Sequence, residues 1–147
     1  MERKRGMHLI SVTPADVFQA LSDPIRIRIL RVLIKSEEES CQCELADSLL
    51  EPEYKLSRHL KVLRQAGLLS ATKEGRWVYH KLVTGGSFLG HLHTAIRNIP
   101  DQDKQFSNDV KRFKQRSRLR EGGKCQTPPR VRLPKKQNAR DQSARVN

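Results

Sequence analysis

Only three of the 147 residues are cysteine, one is tryptophan, and aromatics make up 5% of the chain. Three thiols cannot all pair within one chain, so a disulfide framework would leave one over. A reducing cytoplasm is the expected location, and there cysteine more often means metal or redox chemistry. No apolar run approaches the roughly 18 residues of a spanning helix, which excludes an integral membrane protein. The opening MERKRGMHLISVTP has a basic patch but only a short apolar stretch, which argues against a secretory signal. Acidic residues are scarce: 16 Asp and Glu face 29 Lys and Arg, for a net charge of +13. The excess is uneven, since residues 1–100 carry a net +4 and residues 101–147 a net +9. A basic balance points to an anionic partner, nucleic acid first and a membrane surface second.

What is present has a clear order. Thr13-Pro14 and Asp23-Pro24 each place a capping side chain before a proline, the way a helix opens. Ile25, Ile29, Val32 and Leu33 then recur at helical spacing. SEEES (36–40) is a polar break, and Cys41 through Leu50 reads as a short third helix. Pro52 can open the next one, where Leu56, Leu60 and Leu63 form a stripe ending at Gly67. Two short helices joined by a tight turn, the second basic, have the pattern of a helix-turn-helix. LLSATKEGRWVYHKL follows as two strands around Lys73-Glu74-Gly75-Arg76, a hairpin in the position of a wing.

Residues 86–99 return to helical period through Phe88, Leu92, Ile96 and Ile99. The second half of that set lacks an obvious partner in so small a domain, so a homodimer interface is expected to cover it. Residues 103–120 read as one charged helix with Phe106, Val110 and Phe113 as a thin stripe, ended by Gly122-Gly123. The fold expected is mainly α with a small β-hairpin wing (α+β), a homodimeric winged helix-turn-helix. Four segments follow: an arm over 1–12, the DNA-binding and dimerisation domain over 13–99, a charged helical extension carrying Cys125 over 100–126, and a basic disordered tail over 127–147.

VFQALSDPIRIRILRVL, CQCELADSLL, YKLSRHLKVLRQAGLL and KEGRWVYHKL resemble, in order and spacing, the ArsR/SmtB family of winged-helix metalloregulators over roughly residues 15–98. The resemblance implies a homodimeric repressor that leaves double-stranded operator DNA when a metal or metalloid binds. The family's zinc-sensing pattern on the interface helix would fall on Thr84, Gly86, Arg97 and Pro100, so it is absent. His91 and His93 diverge on a helix and are expected to be structural or solvated.

A recognition helix must offer polar or basic groups to base edges in the major groove. With Leu56, Leu60 and Leu63 facing inward, Tyr54, Lys55, Ser57, Arg58 and His59 remain as candidates, joined by Lys73 and Arg76 on the wing. Glu51 and Glu53 depart from the family block and would not help near phosphates.

Cys41-Gln42-Cys43 lies where the third helix starts, so helix amides are expected to lower the thiol pKa and favour thiolates. Soft thiolates select soft ions. Residues i and i+2 of a regular helix point about 200° apart, so sharing one ion should require the first turn to loosen. That distortion would tilt the recognition helix and oppose DNA binding. The resemblance matches Cys41, Cys43 and Glu44 to the family's C-x-C-acidic pattern, with Ala46 where some relatives carry a third cysteine. Cys125 is the one remaining thiol and a candidate third ligand. As(III) or Sb(III) fits three thiolates; Cd(II), Pb(II) and Hg(II) are alternatives. Another reading makes Cys41, Cys43 and Cys125 a redox switch in the same repressor, with Cys125 joining one of the pair. A thiol enzyme is not expected: C-x-C is not C-x-x-C, no strand is read before it, no carboxylate pair or triad is spaced for catalysis, and no catalytic cofactor is implied.

Overall fold

The computed structural model describes residues 12–126. The expected arm, apart from Val12, and the expected basic tail lie outside the described residues.

Helix α1 (Pro14–Ala20) opens on a reciprocal cap: the Asp16 amide donates to Thr13 Oγ1 and the Thr13 amide to the Asp16 carboxylate. Helix α2 (Pro24–Ser36) opens on Asp23, whose carboxylate accepts from the amides of Ile25 and Arg26. Strand β1 (Ser40–Cys41) leads into α3 (Gln42–Leu49). Leu50 takes a left-handed φ of 55° and turns the chain through Glu51-Pro52 into α4 (Glu53–Gln65). Leu45 and Leu49 of α3 meet Leu56, Leu60 and Leu63 of α4 over Ile29, Leu30 and Leu33 of α2, all fully buried. This apolar junction sets the angle between the two helices of the helix-turn-helix.

After Gly67, at φ 75°, strands β2 (Leu69–Glu74) and β3 (Trp77–Leu82) form the wing, in register from Leu69–Leu82 to Glu74–Trp77. Gly75 takes φ 61° in the two-residue turn between them. Strand β1 adds to the other edge of β3, pairing Ser40 with His80 and Cys41 with Tyr79, so the sheet order is β1-β3-β2. The expectation of two strands, with none before the cysteines, is thereby corrected: Ser40, the last residue of the polar break, and Cys41 itself pair with the wing.

Helix α5 (Ser87–Arg97) buries Leu92 and Ile96 within the chain's own core. The expected vacancy on the second half of its stripe is therefore not there; Phe88 at its start remains exposed, edge-to-face with the exposed Phe18 of α1. Helix α6 (Gln105–Ser117) stops before the glycine pair that was expected to end it. It is no loose appendage, because Phe113 and Asp109 are fully buried against α2 and α3. Arg28 grips the Asp109 carboxylate at 2.8 and 2.9 Å and donates to the Leu49 carbonyl, while Arg112 donates to the Ser48 carbonyl. A buried carboxylate tolerates this position because two guanidinium groups compensate its lost hydration.

Candidate metal centre and nucleic-acid face

Cys41 is not the first residue of a helix. It is the N-cap of α3 and the last residue of β1, with extended backbone at φ −80° and ψ 160°. From that position its sulfur lies 3.0 Å from the sulfur of Cys43 with the helix undistorted. The expected strain of an i, i+2 pair does not arise, since the roughly 100° step per residue of a helix applies only once the chain is inside it.

The third sulfur arrives from the far end of the described chain. Beyond α6, Glu121 and Lys124 bridge across Gly122 and Gly123, both at positive φ (60° and 76°), and this tight return delivers Cys125 to the cluster. Cys125 Sγ lies 3.2 Å from Cys43 Sγ, and all three sulfurs lie within 4.8 Å of one another. Cys41 and Cys125 are in direct sulfur contact and form a disulfide in this structure, leaving Cys43 as the free thiol. Three thiolates at about 2.3 Å from one soft ion, with angles near 90–100°, would sit about 3.3–3.5 Å apart. The reduced cluster needs only a slight opening to fit such an ion.

Charged groups surround the sulfurs. The Cys41 amide donates to Glu44 Oε1 at 3.2 Å, and Cys41 Sγ lies 3.4 Å from the same oxygen. Arg120 holds the same buried carboxylate, at 2.6 Å to Oε2 and 2.8 Å to Oε1. Arg116 reaches to 3.7 Å from Cys43 Sγ while pairing with Asp47 and donating to the Gln126 carbonyl. Burial pushes the Cys43 thiol up to about 11, against the opposing pull of Arg116. The expected lowering by helix amides is overturned for this residue: desolvation of a thiolate outweighs a half-charge at the end of a short helix. Cys43 is thus a neutral thiol until an ion replaces its proton.

The nucleic-acid candidates lie on the opposite side of α4 from the core. Tyr54 is 75% exposed, and Ser57 and Arg58 are exposed beside it. Lys55 is half-buried and pairs with Glu51 at 3.7 Å. His59 is turned back against α2, with Nδ1 3.2 Å from Arg26 Nη1 and 3.8 Å from Asp23. Burial lowers its pKa. Lys73 and Arg76 are exposed on the wing, Arg76 stacked over the Trp77 ring at 4.8 Å. A cleft of about 500 Å³ separates α4 from the wing; its walls include Ser57, Arg64, Arg76 and His80, and its floor includes Cys41 and Cys43.

The sequence singles out Glu44 through the C-x-C-acidic pattern, but not Arg64, Tyr79, His80, Arg116 or Arg120. Arg64 Nη1 donates to His80 Nε2 at 2.7 Å. Burial first, and the Arg64 charge second, push His80 down to about 4, so it is the neutral acceptor a guanidinium needs. Tyr79 and His80 are adjacent yet both buried. Successive strand residues point to opposite faces, so β3 is covered on both sides, by the thiol cluster on one and by α4 on the other. The break in simple alternation through Trp77-Val78-Tyr79-His80 was the legible sign of a central strand.

Residues 23–71 match the family model described as bacterial regulatory protein, arsR family. The chain is 46% identical over 71 residues to the arsenic resistance transcriptional regulator ArsR2 of Pseudomonas putida, covering 48% of this chain and 61% of that protein. It is 39% identical over 69 residues to the arsenical resistance operon repressor of Escherichia coli, covering 47% of this chain and 58% of that one. An HTH-type transcriptional regulator of Methanocaldococcus jannaschii is 38% identical over 69 residues, covering 47% of this chain and 76% of its own length. The matched portion thus spans about three fifths of the two arsenic-resistance relatives.

Proposed function

This chain belongs to the ArsR family of bacterial regulatory proteins, and from that premise we propose that it is a DNA-binding transcriptional repressor, released from its operator when a thiophilic metalloid, arsenite or antimonite, is bound by Cys41, Cys43 and Cys125. The observation that carries the reading is the meeting of three cysteine sulfurs, from the start of α3 and from the segment beyond α6, behind the recognition helix.

The donor set favours a trivalent pyramidal guest. Among the described residues, the three sulfurs form the one candidate donor group, and the neighbouring Glu44 carboxylate is already held by Arg120 through both oxygens. Cadmium and lead, which take more ligands, are accommodated less well. Binding to the reduced protein balances as three thiols plus As(OH)3 giving As(SR)3 and three waters. The Cys41–Cys125 disulfide must first accept two electrons and two protons from a thiol reductant, as the cytoplasm supplies. Because ion and DNA favour different conformations, each weakens the other by the same free energy. Tyr54, Lys55, Ser57 and Arg58 are assigned to the major groove, and Lys73 and Arg76 to the adjacent backbone, while His59, expected beside them, is turned against Arg26 and Asp23 instead. The exposed Phe18 and Phe88 suit a second copy of the chain, which a two-fold operator requires.

A fluorescence-anisotropy titration of the full chain on its own upstream DNA, under reducing conditions, tests the reading. Arsenite or antimonite should release the DNA at concentrations where cadmium, lead and mercury are less effective. Retention of the DNA in the presence of every ion would refute it.

The Cys41–Cys125 pairing supports a second reading, a thiol-redox repressor. There a peroxide would take two electrons from the two thiols, yielding the disulfide and two waters. Release by hydrogen peroxide, reversed by reductant and indifferent to arsenite, would favour it over metalloid sensing.

A further inference from the structure

We propose that Tyr79 is the positioning residue for the third thiol and the tie through which an occupied thiol site acts on the wing. The inference rests on the metalloid reading above and assigns a role to a residue outside the ligand set.

Cys125 lies beyond α6, immediately after the Glu121–Lys124 return. Among the described residues, the Cys125 amide donates to Tyr79 Oη at 2.7 Å, beside the sulfur link to Cys41 and the Arg116 hold on the Gln126 carbonyl. Cys125 is 0% exposed and Tyr79 is 2% exposed, so no water substitutes for either partner. Tyr79 also stands directly opposite Cys41 in the β1–β3 pairing. One tyrosine therefore contacts two of the three thiol residues, one through its hydroxyl and one through its strand. Cys41, Tyr79 and Cys125 form a buried cluster separate from the main core, with Cys43 and Trp77 packed against it.

Strand β3 makes this contact consequential. On one side of Tyr79, Val78 pairs with Lys73 of the wing; on the other, His80 accepts from Arg64 of the recognition helix. Drawing the sulfurs together on one ion moves Cys125 and Cys41 relative to each other, and both movements reach β3 at the same residue. The guest then acts on the wing and on Arg64 without bending α3.

The test is Tyr79→Phe in the full chain, reduced, with Cys125→Ser beside it and arsenite as the probe. Tyr79→Phe keeps the ring and removes the acceptor, so DNA affinity without arsenite should match wild type, which also reports folding. Arsenic K-edge X-ray absorption should fall from about three sulfur neighbours to two, and the arsenite needed for release should rise roughly tenfold, the scale of one lost buried hydrogen bond. The Trp77 fluorescence change on arsenite addition should shrink in parallel. If Cys125→Ser behaves as wild type, the three-thiol site itself is wrong and this inference falls with it. If Cys125→Ser loses response while Tyr79→Phe keeps three sulfurs and wild-type release, only the role of Tyr79 is refuted. Should Tyr79→Phe fail to fold, hydrogen exchange on wild type decides: a Cys125 amide slowed further by arsenite supports the tie, and exchange at the solvent rate overturns it.

Discussion

Arg120 and Glu44, 76 residues apart, meet in a two-pronged ion pair at 2.6 and 2.8 Å, and the same carboxylate accepts from the amide of Cys41. The pair fastens the segment beyond α6 to the first turn of α3. Removing one partner of a buried pair leaves the other charge without hydration, which costs about 3–5 kcal/mol. Arg120→Ala should therefore lower the unfolding free energy by about 3 kcal/mol in urea titration, Arg120 being slightly exposed. Arg120→Ala combined with Glu44→Gln should recover part of that loss. Equal destabilisation by the single and double variants would show that the ion pair is not what Arg120 contributes.

Cys41→Ser, Cys43→Ser and Cys125→Ser should each bind operator DNA as wild type does and each fail to release it with arsenite. The three sulfurs form one site, so the effects should not add: a double variant should respond no worse than a single one. Anisotropy at fixed DNA with rising arsenite reads this directly. Wild-type release by any of the three removes that residue from the ligand set.

Lys73→Ala and Arg76→Ala address the wing. Each phosphate contact contributes about −0.9 to the slope of log affinity against log salt, so each substitution should flatten the slope by about one and weaken all sequences alike. Arg58→Ala should behave differently and relax base preference, as expected for a group directed at base edges. Affinities measured between 50 and 300 mM salt on operator and scrambled duplexes separate the two outcomes. An unchanged slope for both wing variants would mean the wing does not touch the backbone.

His80 makes stability depend on pH. Its pKa falls from 6.5 in the unfolded chain to about 4 in the fold, so the unfolded state binds the extra proton first. The contribution is fully present above about pH 6.5 and is lost as pH falls towards 4, amounting at most to about 3 kcal/mol. Urea midpoints at pH 7 and pH 4.5 should differ more in wild type than in His80→Asn. Parallel pH dependence in the two proteins would mean that burial of this imidazole does not govern acid stability.

Much of the fold could be read along the chain because its causes are local. Thr13-Pro14 and Asp23-Pro24 announce helix starts by cap chemistry, and both caps form. Leu56, Leu60 and Leu63 fall one helical turn apart and are all buried. The hairpin register follows from a two-residue turn with glycine at positive φ. Local rules fail where a distant neighbour intervenes. Cys41 reads as helical along the chain because nothing nearby shows that Tyr79 draws it into a strand. The thiol of Cys43 reads as acidic because a helix start is visible in sequence and desolvation, which raises its pKa, is not.

The order of residues alone determined the helix-turn-helix, its wing and the presence of three thiols, since periodicity, caps and turns act over a few residues. Only the tertiary structure decided that Cys125, 84 positions from Cys41, completes the cluster, and that Glu44, Arg116, Arg120 and Tyr79 enclose it. Such meetings depend on α6 docking against α2 through the buried Arg28–Asp109 pair and against α3 through the Arg116–Asp47 pair. Their energy comes from desolvated partners far apart in the chain, and no local pattern records which will meet.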